Sequence, residues 1–331
     1  MMTVLDFEKP IVELEKKISE LKNLSTTGEL DLDSEVKKLE ARLAHVKKET
    51  YIHLTPWQRV QIARHPRRPY TLDYIQMIFN DFMQLHGDRT FADDKALIGG
   101  FARLDGRSLL VMGHQKGRDA KENIMRNFGS AHPEGYRKAL RLMRLAEKFK
   151  TPIVVFIDTP GAYPGVGAEE RGQAYTIAVN IRDMARVSVP ILVYVIGEGG
   201  SGGALGIGVG DRVGVFENAY YSVISPEGCA AILWKDRTKA PEAAAALRLT
   251  AKDLLDMKLI DEVVKEPVGD AHQNPEAMAE CVKSSILKNL KEIESQDPLR
   301  LIERCYEKFR CMGAFLAPEI KTHEKKIPSR Q

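Results

Sequence analysis

The sequence predicts an α/β protein. Short apolar runs of strand length, at 153–158 and again from Ile191, alternate with helices whose apolar residues fall on one face. Each of the two runs ends in a glycine- or proline-rich loop. Such alternation implies a largely parallel sheet joined by right-handed crossovers. Size agrees, since 331 residues with 44% hydrophobic and 29% charged content can build one large core plus an appendage.

The elements follow in order. Ile11, Leu14, Ile18 and Leu21 recur at spacings of three and four, as do Val36, Leu39, Leu43 and Val46 beyond a polar break at Gly28. Each helix carries one narrow apolar stripe, so residues 1–50 read as a coiled-coil hairpin that folds back on itself or docks on another subunit. Prolines in His65-Pro66-Arg67-Arg68-Pro69 interrupt the next stretch, and a helix is expected over 72–86, which makes 51–95 a connector plus helix. The core, 96–268, opens with strands at 96–104 and 108–113, joined by the hairpin signal Asp105-Gly106. A helix over 134–149, the strand 153–158, a loop, a helix over 169–187 and the strand from Ile191 come next.

Strands near 212–216 and 220–225 lead to a helix capped by Ser225, with Pro226 in its first turn. A capped helix at 249–255 and a last strand at 259–264 close the core. Met278, Val282, Ile286, Leu290 and Ile293 share one face of a helix over 275–294, inside a C-terminal helical segment, 269–317. The remaining 318–331 are polar and lysine-rich and read as disordered.

Composition excludes several classes. No span has the apolar length that crosses a bilayer, and the acidic, amphipathic N-terminus does not read as a signal peptide, so a cytoplasmic protein is expected. Cys229, Cys281, Cys305 and Cys311 show no C-x-x-C spacing, so neither a disulfide framework nor a metal site is expected. A net charge of +3 does not argue for nucleic acid, although local basic patches could hold a phosphorylated ligand.

The chemistry concentrates after the strand from Ile191, where five of the seven residues 197–203 are glycine. An apolar strand closed by glycines delivers backbone that something approaches closely, and a helix opening there points unpaired N–H groups outward. Three signatures overlap. Gly197, Gly199 and Gly202 satisfy G-x-G-x-x-G with Glu217 as a ribose ligand, but the seven residues between Gly203 and Asp211 are too few for the crossover helix of a dinucleotide fold. Ser201 satisfies G-x-S-x-G, with Asp211, Asp261, His272 and His323 as the available partners, yet neither histidine ends a strand. The third reading needs no reactive side chain: the N–H groups of Gly202 and Gly203 stabilise an oxyanion.

A second loop, Thr159-Pro160-Gly161-Ala162-Tyr163-Pro164-Gly165, ends the preceding strand. With the glycine turn, Gly113-His114-Gln115-Lys116-Gly117-Arg118, Pro133-Glu134-Gly135-Tyr136-Arg137-Lys138-Ala139-Leu140 and Ser225-Pro226-Glu227-Gly228-Cys229, it makes a sequence that closely resembles the carboxyltransferase α subunit of bacterial acetyl-CoA carboxylase. The likeness runs over about 5–294.

That resemblance implies a crotonase-like fold of stacked ββα units with an oxyanion hole at the glycine turn. It implies a reaction divided between subunits: biotin on its carboxyl carrier protein, carboxylated by a biotin carboxylase, delivers a carboxyl group to acetyl-CoA and gives malonyl-CoA. A zinc-ribbon-bearing β subunit would supply the other half of the site, in a heterotetramer of two α and two β chains. Gly202 and Gly203 would hold the ureido oxygen of biotin, with Gly199, Gly200, Ser201 and the loop Thr159, Pro160, Gly161, Ala162, Tyr163, Pro164 and Gly165 walling the biotin pocket. The thioester oxygen would fall to β and the methyl proton to the freed biotin nitrogen, so no general base is required of this chain. Among Lys116, Arg118, Lys121, Arg126, Arg137 and Lys138, a solvated basic face competes with contacts to CoA phosphates or the carboxylate, for which Lys116, Arg118 and Arg137 stand out. Two alternatives remain open: another acyl-CoA such as propionyl-CoA, or a noncatalytic assembly subunit.

Overall fold

The computed structural model describes residues 4–26 and 32–313. Helices α1 (Lys9–Thr26) and α2 (Asp33–Ile52) pack on each other as the expected hairpin. Ile11, Ile18 and Val36 are buried along the seam, and Lys47–Glu15 and Lys22–Glu40 pairs, each 2.6 Å, flank it. The polar break at Gly28 and everything beyond 313, including the tail and His323, lie outside the described residues.

Helix α3 (Pro56–Ala63) starts on a capping box in which Thr55 Oγ1 accepts the Gln58 N–H and Gln58 returns a bond to the Thr55 N–H. The helix expected over 72–86 is shorter than that. Helix α4 is Thr71–Ile78, and Asn80–Gln84 forms strand β1 instead, antiparallel to β2 (Leu97–Leu104). Periodicity misled because Phe79 is already extended and Asp81 turns to φ +52°. Pairing then decides: a Cβ on Gly100 would stand 2.1 Å from the Met83 carbonyl, so β1 runs against a strand position that only glycine leaves open.

Strand β2 turns through Asp105 (φ +48°) and Gly106 (φ +80°) into β3 (Arg107–His114), the two-residue hairpin that the sequence announced. After short α5 (Ala120–Met125), helix α6 (Pro133–Lys148) leads to β4 (Ile153–Thr159). The single helix expected over 169–187 is two, α7 (Val166–Glu170) and α8 (Gln173–Met184), parted by Gly172 at φ +79°. Strand β5 (Ile191–Gly200) feeds α9 (Ser201–Leu205), followed by β6 (Arg212–Phe216), a β7 of only Tyr220–Ser222, α10 (Pro226–Leu233), α11 (Ala240–Leu247), α12 (Ala251–Asp256) and β8 (Glu262–Val264). Helices α13 (Pro275–Ile293) and α14 (Pro298–Arg310) complete the described chain.

The sheet runs β1-β2-β3-β4-β5-β6-β8, parallel from β3 onward. All residues of β4 and β5 are buried, as expected where helices cover a parallel sheet. Helix α6 packs on β2, β3 and α8, while α13 packs on α4, β5 and β8. Strand β5 also changes partner along its length: its start pairs with β6, and Glu198–Gly200 pair with β7. The glycine end of β5 therefore lies between β4 and β7.

Candidate active site

Strands β4 and β5 lie in register, with Thr159 opposite Gly199, so the loop after one and the turn after the other emerge side by side. They touch backbone to backbone. A Cβ on Gly200 would stand 2.2 Å from the Pro160 carbonyl oxygen, and one on Gly203 would stand 2.4 Å from the Gly161 carbonyl carbon and 2.5 Å from the Ala162 nitrogen. Gly202 is different, since the first atom its Cβ would meet is Ile177 Cδ1 at 3.7 Å.

Local bonds hold both segments. Thr159 Oγ1 donates to the Gly161 carbonyl at 2.8 Å and accepts its N–H at 3.1 Å. Tyr163 stacks on His132 with ring centroids 4.1 Å apart, and its N–H donates to Ala131. Tyr136 Oη donates to the Gly203 carbonyl at 3.2 Å. Ser201 opens α9 at φ +51°, and Gly202 and Gly203 occupy the first turn, where N–H groups have no intrahelical acceptor. An apolar cavity of about 320 Å³ opens along the Ser201 and Leu205 face of α9, lined also by Gly208, Tyr221, Val223 and Phe309 among others. The first turn of α9 can offer N–H donors to a developing oxyanion.

Beneath the two loops lies an ion network that sequence reasoning did not assemble. Lys116 Nζ is 2.7 Å from both Asp158 Oδ1 and Glu198 Oε2, and the Glu198 N–H donates to Asp158 Oδ1 at 2.9 Å. Glu198 Oε1 also accepts Tyr220 Oη and Arg64 Nε, each at 2.7 Å, and Arg64 continues to Glu227. Burial disfavours the charge on Lys116, but the two carboxylates outweigh it and raise its pKa. Burial likewise opposes ionisation of Glu198, yet Lys116 and Arg64 hold it down to about 2, while Asp158 is left above its usual range by burial. The available signal was a lone carboxylate at the end of each of two buried strands, immediately before the loops.

Lys116, Arg118 and Arg137 are each held by groups of this chain, and Lys116 and Arg118 both lie near Tyr70. Arg118 pairs with Asp73, donates to the carbonyls of Pro66 and Arg68 and lies 3.9 Å over the Tyr70 ring. Arg137 is 2.7 Å from Asp88 and donates to the Arg171 carbonyl. Of the other cations in that set, Arg126 pairs with Glu122, and Lys138 is buried against Asp93.

A serine triad finds no geometry. Asp211 accepts the Ile191 N–H at 2.8 Å, at the opposite end of β5 from Ser201, and ten residues of strand put about 30 Å between them. Asp261 accepts the Val213 N–H and pairs with Lys308. Glu217, the alternative ribose ligand, pairs with Lys265. His272 Nε2 lies 3.1 Å from Glu8 Oε1 at the hairpin base, where Tyr51 Oη also donates to Glu8. Glu8, His65 and His272 are all buried and are close enough to share an ion, but His65 Nδ1 accepts the Arg67 N–H, which places its proton on Nε2. Glu8 and His272 form a latch between hairpin and core, with the His65 ring packed on that of His272 at 4.1 Å.

A parallel sheet with a glycine turn opening a short helix, packed on a second loop, defines the crotonase-like carboxyltransferase fold. Solved structures agree: a Pseudomonas malonate decarboxylase heterodimer (TM-score 0.53, 17% identity, 66% of this chain and 91% of that one) and the transcarboxylase 12S hexamer (TM-score 0.52, 22% identity, 65% and 42%) share it. Residues 4–313 match the family described as acetyl co-enzyme A carboxylase carboxyltransferase-like, and the chain belongs to that family. It is 57% identical to the acetyl-coenzyme A carboxylase carboxyl transferase subunit alpha of Thermus thermophilus over 95% of this chain and 99% of that one. The subunit of the same description from Geobacter metallireducens is 56% identical over 94% and 98%. Among the described residues, no helix is long and apolar enough to cross a membrane.

Proposed function

We propose that this chain is the α half of an acetyl-CoA carboxyltransferase and holds the carboxyl donor while a partner β subunit holds the acyl-CoA. One observation supports the reading: the backbone of Gly203 packs directly on 161–162, in the first turn of α9, where N–H groups have no intrahelical acceptor. Carboxybiotin on its carrier protein supplies the carboxyl group, and its ureido system takes up negative charge and then the methyl proton of acetyl-CoA. The N–H groups of Gly202 and Gly203 donate to that oxygen, and such a donor contributes roughly 100- to 1000-fold in rate. Loop 159–165 and Gly199, Gly200 and Ser201 orient the ring system. No side chain of this chain transfers a proton.

The reading carries further parts. The zinc ribbon belongs to β, the functional unit is two α and two β chains, biotin carboxylase completes the complex, and the assembly is cytoplasmic. The division into a hairpin (1–50), connector (51–95), core (96–268), C-terminal helices (269–317) and tail (318–331) belongs to the same proposal. The test is malonyl-CoA formation from acetyl-CoA and carboxylated carrier, with this chain alone and with β. Activity only in the mixture supports the reading; activity of the chain alone overturns it.

A further inference from the structure

We propose that Lys116 is a positioning residue, whose buried ammonium fixes the spacing between loop 159–165 and the glycine turn by bridging the residue before each. The inference rests on the functional reading above for what that spacing does, but the bridge itself stands on geometry. Asp158 is the last residue before Thr159, Glu198 is the last before Gly199, and Lys116 Nζ is 2.7 Å from a carboxylate of each. The cation comes from a third element, just past β3, so three consecutive parallel strands are tied at their carboxyl ends through one nitrogen.

The bridge is closely packed. A Cβ on Gly129 would stand 2.9 Å from Lys116 Cγ, and one on Gly197 would stand 2.6 Å from Asp158 Oδ1. The groups facing the pair are Arg64, Tyr220 and Glu227 on the Glu198 side and Tyr70, with Arg118 over its ring, on the Asp158 side. His114, two residues before Lys116, is fully buried and stays neutral, its pKa pushed down to about 3 by burial and by Lys116. Of these, Arg64 is the only other cation bonded to either carboxylate, and it reaches Glu198 alone.

Removing the ammonium leaves two buried carboxylates facing one vacated position. Like charges so placed raise the pKa of one of the pair, so one takes a proton as the pH falls and both stay charged at high pH. A proton can then bridge them as the ammonium did, so Lys116→Met gains a dependence on pH that the parent lacks. In Lys116→Met/Asp158→Asn the amide oxygen still accepts the Glu198 N–H and carries no charge, so Glu198, held by Arg64 and Tyr220, faces no like charge at any pH.

The test measures hydrogen-exchange protection of 161–162 and 199–203, in the full chain without substrates, relative to the parent at the same pH. Lys116→Met is expected to lose at least about tenfold protection there at pH 8, with recovery at pH 5.5. The double variant is expected to keep protection at both, and it carries the test alone if the single variant does not fold. With β present, kcat of Lys116→Met at pH 8 should fall about 100-fold with KM for acetyl-CoA unchanged. Unchanged loop protection in Lys116→Met, or a loss spread evenly over β4 and β5, overturns the proposal. An inactive parent complex would sink the functional reading while the exchange pattern still decides the bridge.

Discussion

Gly203→Ala is a sharp perturbation of the spacing between loop and turn. A methyl there would stand 2.4 Å from the Gly161 carbonyl carbon and 2.9 Å from its Cα, and both atoms belong to backbone rather than to a side chain that can rotate away. Ordinary contact between carbon atoms lies near 3.5–4.0 Å, so the loop and the turn must part by about 1 Å. A displacement of that size in a catalytic constellation costs on the order of 100-fold. Gly202→Ala is the control, because its methyl meets nothing nearer than 3.7 Å and leaves the same N–H in place.

The assay is carboxyl transfer from carboxylated carrier to acetyl-CoA in the reconstituted complex, with assembly checked by size-exclusion chromatography. Gly203→Ala should assemble and lose about 100-fold in kcat, and Gly202→Ala should stay within a few-fold of the parent. Gly203→Ala at the parental rate would refute the argument. So would equal loss in both variants with assembly intact, since spacing would then not be what the glycines protect.

Ser201→Ala should retain transfer within a few-fold, and a serine-reactive phosphonate should leave the active protein unlabelled; a nucleophile's removal would instead cost on the order of a million-fold. Glu8→Gln tests the latch between hairpin and core. Burial opposes ionisation of Glu8, but bonds from His272 and Tyr51 bring its pKa from 4.5 down to about 2. A carboxyl lowered on folding stabilises the native state above its unfolded value and loses that contribution as pH falls from 4.5 towards 2. Glu8→Gln should therefore lower the melting temperature at pH 7, by an amount corresponding to roughly 3 kcal/mol, and the difference should shrink as pH falls towards 2. A difference independent of pH would show that the carboxylate is not the stabilising species.

The sheet was legible because buried parallel strands write themselves as apolar runs, and β4 and β5 are buried at every residue. Helix boundaries were legible where caps are local, as at Thr250, whose hydroxyl accepts the Asp253 N–H, and at Ser225. Strand β1 was not, because its conformation is set by pairing with β2 across Gly100, and pairing leaves no period in its own five residues. In the site, the glycines announced themselves by density, but Lys116 did not reveal its partners. Asp158 and Glu198 lie 42 and 82 residues away from it, and only the sheet order brings the three ends together.

The ions beneath the loops also answer an electrostatic requirement. A site that stabilises an oxyanion is damaged by nearby uncompensated negative charge, and this one places two carboxylates directly behind its two loops. At an effective dielectric of about 20, a unit charge about 10 Å away contributes about 1.7 kcal/mol, enough to offset about half of what one amide donor provides. Lys116 and Arg64 offset much of the charge of Asp158 and Glu198, although Arg64 is shared with Glu227 at the outer end of the network. Bracing and charge compensation therefore come from the same bonds. A polar pair without charge could brace the loops equally well, but an ammonium replaced by a neutral side chain would leave bare the carboxylates that the turn can least tolerate.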